Sequence, residues 1–127
     1  MTSEAGQANG AVRVIARQRV YVCAEAGSCL ADDRSASDLV GDLFSSDVRL
    51  VAIPLERLGP DFLRLGSGVA GAILQKLVNY RFRIAVLGDV SAAVAASAPL
   101  RDFIRESNRG QTVWFVDDLA ALEGRLG

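Results

Sequence analysis

The sequence predicts a single-domain α/β protein with a mixed sheet in the order β-β-α-β-α-β-α-β-α. Three observations carry that expectation. Two apolar alternations, Val12-Val14-Ala16 and Val20-Val22-Ala24, flank the polar Arg17-Gln18-Arg19, as in a hairpin of two half-buried strands. Beyond them, β-branched apolar runs alternate with helix-periodic segments, so each helical crossover returns the chain in the same direction and the later strands run parallel. The length, 127 residues with half of them apolar and 23% charged, suits one domain that buries about two thirds of its unfolded surface.

Taken in order, residues 1–10 are rich in Ser, Gly, Ala and Gln and read as a flexible tail, leaving residues 11–127 as the domain. Residues 27–37 form a polar loop, and Ser35 or Ser37 caps a first helix with Leu39, Leu43 and Phe44 on its buried side. Ser45-Ser46-Asp47 ends that helix. Residues 48–55 are the third strand, and Glu56-Arg57-Leu58-Gly59-Pro60 breaks it. Pro60 suits the first turn of a short helical segment over residues 60–65.

Gly66-Ser67-Gly68 then opens the central helix, whose Leu65, Val69, Ile73 and Leu77 recur at four-residue spacing. Residues 82–87 are the fourth strand and residues 88–96 a small-residue loop. A helix over residues 99–108 presents Leu100, Phe103 and Ile104, and Asn108 or Gly110 in the left-handed conformation closes it. Residues 112–116 are the last strand. Asp117 or Asp118 caps a final helix striped by Leu119, Leu122 and Leu126.

Composition bounds the chemistry. A net charge of -1, with carboxylates interleaved among the arginines, argues against nucleic acid as a partner. Residues 84–100 are nearly uncharged but are cut by Gly88, Asp89, Ser91, Ser97 and Pro99, which argues against a membrane span. With no signal-peptide pattern, a cytoplasmic location with Cys23 and Cys29 as reduced thiols is expected. The chain has no histidine, which removes a Ser-His-Asp triad and a Cys-His pair; two cysteines do not complete a zinc site. No cofactor or metal is expected.

In open α/β sheets, ligands gather at the carboxyl ends of parallel strands, where helix N-termini point free amides outward. Gly66-Ser67-Gly68, Gly88-Asp89 and Asp117-Asp118 fall there. Ser67 reads first as a helix cap, with the alternative of a regulatory hydroxyl that, once phosphorylated, the helix dipole would favour. Asp89 reads as turn chemistry or as a general base. Tyr80 and Arg81 end the central helix. Along the next helix Arg101 with Arg105, and Asp102 with Glu106, are like-charged pairs one turn apart, while Asn108 and Arg109 lie at its end. Tyr80, Asp89, Arg101 and Glu106 are the catalytic candidates of a metal-free acid/base enzyme, should they converge.

Two resemblances extend this reading. Gly59-Pro60-Asp61-Phe62, residues 65–81 (Ala70-Gly71, Ile73-Leu74-Gln75-Lys76 and Asn79-Tyr80-Arg81 among them), Gly88-Asp89, and residues 100–110 closely resemble a bacterial family known as domain of unknown function 4180. That family implies no activity. The chain departs from its pattern with Pro54 where histidine is usual, Ala72 where glutamate follows Ala-Gly, and Ser67 in place of threonine. The order of strands and helices also resembles the STAS domains of anti-sigma-factor antagonists, in which a serine or threonine heading the helix after the third strand is phosphorylated to break binding to a kinase. Gly66-Ser67-Gly68-Val69 occupies that place without the preceding aspartate. The resemblance implies a regulatory protein-interaction domain with a protein partner, switched at Ser67. The alternative is a cofactor-free small-molecule-binding or enzymatic domain of a biosynthetic pathway. Either is compatible with a homodimer paired through the hairpin edge.

Overall fold

A computed structural model describes residues 10–27 and 29–127. Residues 1–9, most of the segment read as a tail, lie outside the described residues; Gly10 is already in a strand. The elements are β1 (Gly10–Ile15), β2 (Gln18–Cys23), α1 (Asp33–Ser46), β3 (Leu50–Pro54), α2 (Val69–Asn79), β4 (Arg83–Leu87), α3 (Ser91–Ala96), α4 (Ala98–Arg109), β5 (Val113–Val116) and α5 (Leu119–Leu126), with single 3-10 turns at Leu55–Leu58 and Leu65–Ser67. The five strands form one sheet in sequential order, β1 antiparallel to β2 and the remaining pairs parallel. The mixed α/β order predicted from sequence is therefore observed, with one additional helix.

Sequential order decides how the layers form. A right-handed crossover between neighbouring parallel strands, repeated in one direction across the sheet, places every crossover helix on the same face. That face holds the larger core: Tyr21, Cys23, Val51, Ile53, Ile84, Val86 and Phe115 from the strands meet Leu39 and Leu43 of α1, Ile73 and Leu77 of α2, and Leu100 and Ile104 of α4. Among the described residues the opposite face is covered only by α5, which follows the last strand and has no crossover to make. Its Leu122 packs on Val20, Leu50, Ala52, Ala85, Leu87 and Trp114. Trp114 lies between two guanidinium groups, those of Arg83 at 4.8 Å and Arg125 at 4.3 Å from the ring centre.

Several boundaries differ from expectation for local reasons. Asp32 caps α1, three residues before Ser35: the Asp32 carboxylate accepts from the Ser35 amide at 2.8 Å while the Ser35 hydroxyl accepts from the Asp32 amide at 3.2 Å, a reciprocal pair that satisfies two helix-end donors. The buried side of α1 is Ala36, Leu39, Val40 and Leu43; Phe44 is 61% exposed and turns its ring toward Tyr80 and Phe82. The hairpin turns through Ala16 and Arg17, both at positive φ, so Ala16 does not continue the strand alternation. Pro60 begins a turn and not a helical segment, and the loop expected over residues 88–96 contains α3, whose first residue, Ser91, donates its amide to Asp89. Neither Asn108 nor Gly110 closes α4 in the left-handed form: Asn108 is helical, and Gly110 has φ -88°.

Candidate functional site

The parallel strands β2, β3, β4 and β5 end along one edge of the sheet. On the α5 face of that edge lies a groove of about 860 Å³. Its existence follows from the layer imbalance: α5 spans eight residues and packs over Val20 and the middle strands, leaving Ala11 and Arg13 of β1 exposed on this face. Hairpin pairing puts Ala11 opposite Val22 and Arg13 opposite Val20, so Ala11, Arg13 and Val22 share this face. Pro54 at the end of β3, Leu87 at the end of β4, and Leu119 and Ala120 at the start of α5 complete the apolar lining. Arg13, Glu25, Glu56, Asp117 and Asp118 supply its charge, and all five are exposed. The position where the resemblance places a histidine, Pro54, is thus part of this groove, whereas Ala72 lines a separate hollow with Asp33, Lys76 and Tyr80 between α1 and α2.

Gly88 forms the shared wall between this groove and a second hollow of about 570 Å³ lined also by Cys29, Glu56 and Asp89. Its φ of +153° is one that side-chain-bearing residues rarely adopt, and a Cβ there would stand 2.8 Å from that of Leu55. Asp89, which follows it, accepts from both the hydroxyl (2.6 Å) and the backbone amide (2.9 Å) of Ser91. These bonds, the hydroxyl first, hold its carboxyl below the usual carboxylate range, which makes it a weaker base tied to the first residue of α3.

Ser67 stands at the same edge on the crossover-helix side. It is exposed, its hydroxyl donates to the Asp61 carbonyl at 2.8 Å, and its Oγ accepts from the Val69 amide at 3.2 Å. The N-cap proper is Gly68, at φ +80°, and Gly66 faces open space. Ser67 therefore pins the turn over residues 61–68 to the head of α2.

The four catalytic candidates do not converge. Tyr80 is 48% exposed at the C-terminal end of α2, at the sheet edge opposite Asp89, and packs edge-on against Phe44 at 5.9 Å between ring centres. Arg101 pairs with its neighbour Asp102 at 3.3 Å, and Glu106 with Arg109 at 3.5 Å, all of them well exposed. Asn108 has a structural role: its side-chain amide accepts from the Phe115 amide at 2.7 Å and donates to the Phe115 carbonyl at 3.3 Å. It thereby pairs the outer edge of β5 as a further strand would, protecting that edge.

A buried polar cluster beneath the crossover helices escaped the sequence reading. Arg57, 1% exposed, donates to the Ala24 carbonyl at 3.0 Å. Near it Tyr21 donates its hydroxyl proton to Asp42, and Cys23 is buried alongside. Burial first, then the Asp42 carboxylate, pushes the Tyr21 hydroxyl up to about 12. Burial likewise pushes the Cys23 thiol up to about 12, against the pull of the Arg57 charge. Such a thiol stays protonated and unreactive at neutral pH. Cys23 and Cys29 are both free.

Among the described residues, no group of three or more His, Cys, Asp or Glu side chains could hold a metal ion, and no helix is long and apolar enough to cross a membrane. The sequence model of a protein family described as domain of unknown function (DUF4180) matches residues 15–126. No curated protein and no solved structure matches the chain.

Proposed function

The chain belongs to the DUF4180 family, and from that premise and the geometry of the sheet edge we propose that it is a binding domain whose ligand is a small molecule held in the groove beside α5. The observation that carries this reading is the groove itself. It lies where the carboxyl ends of the parallel strands meet a helix N-terminus, its volume is in the range of small-molecule sites, and its lining is apolar with charged side chains at the margin. The reading favours binding over catalysis because Tyr80, Asp89, Arg101 and Glu106 are dispersed or spent on local bonds.

The test is a fragment screen read by amide shifts in the 15N-labelled protein. Hits are expected to move the amides of Ala11, Val22, Gly88 and Ala120, and Ala11→Trp, a change at an exposed position, is expected to abolish those shifts by filling the groove. Hits confined to the hollow between α1 and α2, or insensitive to Ala11→Trp, would overturn the assignment.

Ser67 favours a second reading, a regulatory protein-interaction domain of STAS type. What supports it is the exposed hydroxyl bridging the residue 61–68 turn and the head of α2, together with the strand and helix order on which that resemblance rests. A phosphate on Oγ would remove the proton given to the Asp61 carbonyl and set negative charge at the N-terminus of α2, favouring a rearranged turn. Ser67→Asp is expected to fold as the parent does, since both bonds lie at the surface, and to lose a partner captured by the parent. An unchanged set of captured proteins would sink this reading.

A further inference from the structure

The ligand class follows from where charge sits around the groove. We propose that its occupant is a small organic cation, an amine or quaternary ammonium carried on an apolar body, with the cation at the sheet edge and the body lying over Ala11 and Val22 toward Arg13. The inference rests on the reading of the groove as a ligand site.

Four carboxylates, Glu25, Glu56, Asp117 and Asp118, come from three separate segments to one mouth, in a chain whose net charge is only -1. Among the described residues none of the four forms an ion pair. Carboxylates gathered around an apolar concavity raise the local concentration of cations and repel anions. The one basic lining residue, Arg13, lies three residues into β1 from the edge, roughly 10 Å at the rise of a strand. It repels a cation at the inner end and so sets the ligand's direction. The lining between the two charged ends, Ala11, Val22, Pro54 and Leu119, carries no side-chain hydrogen-bonding group.

An anionic ligand is the natural alternative at a helix N-terminus. Here the first turn of α5 is already served by its own acid: the Asp118 carboxylate accepts from the Ala121 amide at 2.9 Å, with Asp117 adjoining. A phosphate or carboxylate would have to displace one anion and approach three others.

Octylammonium and octanoate, which share one body and differ in head-group sign, test the proposal by titration into the 15N-labelled full chain. Octylammonium is expected to shift the Ala11, Val22 and Leu119 amides and to bind at least about tenfold more tightly than octanoate, with the preference shrinking as salt is added. The double variant Glu56→Gln/Asp117→Asn changes two exposed side chains that cap no helix, and its amide spectrum verifies its fold. It is expected to bring the two affinities together. Octanoate binding at these amides as tightly as octylammonium would overturn the cation inference while leaving the groove a ligand site. Shifts by octylammonium confined to the exposed Phe44 and Tyr80 rings, or a preference unchanged in the double variant, would overturn it as well.

Discussion

Replacing Arg57 by alanine is expected to destabilise the protein by about 3–5 kcal/mol, the usual cost of removing one member of a buried charged network. The guanidinium is nearly inaccessible, holds the Ala24 carbonyl, and lies against Gly27, where an added Cβ would come within 3.1 Å of its central carbon. It therefore anchors the connection after β2 to the turn after β3. The variant leaves the Ala24 acceptor without its donor and a void the size of the side chain. Arg57→Met restores much of the volume but no donor, and is expected to fall between the two. Urea unfolding of the three proteins measures the series. A loss under about 1 kcal/mol for Arg57→Ala would show that the cluster bears little of the stability.

Arg57 also shows where sequence reading stops. Glu56-Arg57-Leu58-Gly59-Pro60 has the composition of a solvated connection, and it does connect; burial of its arginine depends on Ala24 and Gly27, more than 29 residues earlier in the chain. The five strands were legible because each is a β-branched run bounded by turn residues, and four of the helices because apolar residues recur along one side. Helix α3 was not, since Ser91-Ala92-Ala93-Val94-Ala95-Ala96 has small residues all round and no stripe. The start of α1 was ambiguous because Asp32, Asp33, Ser35 and Ser37 can all cap, and only the reciprocal bonds of Asp32 and Ser35 select one. Of the groove, the sheet edge and its markers Gly88 and Asp117-Asp118 were legible from topology. Arg13, Glu25 and Glu56 were not, because their convergence depends on hairpin register and on which face the last helix takes. Asn108 is legible as a polar helix-end residue, but its pairing with Phe115 needs the edge position of β5.

The same cluster makes alkaline pH the other sensitive axis. Burial raises the Cys23 thiol from 9.0 and the Tyr21 hydroxyl from 10.0, each to about 12. Below pH 9 both groups are protonated whether the chain is folded or not, so their contribution to stability is fully present. Between about 9 and 12 the unfolded chain releases these protons while the folded chain retains them, so stability falls as pH rises. Above about 12 both states are ionised and the loss levels off. At about 1.4 kcal/mol per unit of displacement, unfolding free energy should drop by on the order of 3 to 4 kcal/mol between pH 9 and pH 11. Urea unfolding under reductant at those two values measures it. Cys23→Ala is expected to lower stability at both and to flatten the slope by more than half, because the group with the larger displacement is gone while Tyr21 remains. A slope equally steep without the thiol would assign the alkaline loss to general charge repulsion and not to the interior of the β2–α1 layer. A parent protein whose stability does not change over this range would mean that water reaches Tyr21 and Cys23 and that the Arg57 layer opens. The two measurements thus bear on one question, whether Arg57, Asp42, Tyr21 and Cys23 behave as a closed interior. If they do, the rigid layer under the crossover helices fixes the C-terminal end of β2, and with it the Val22–Glu25 wall of the groove on the opposite face.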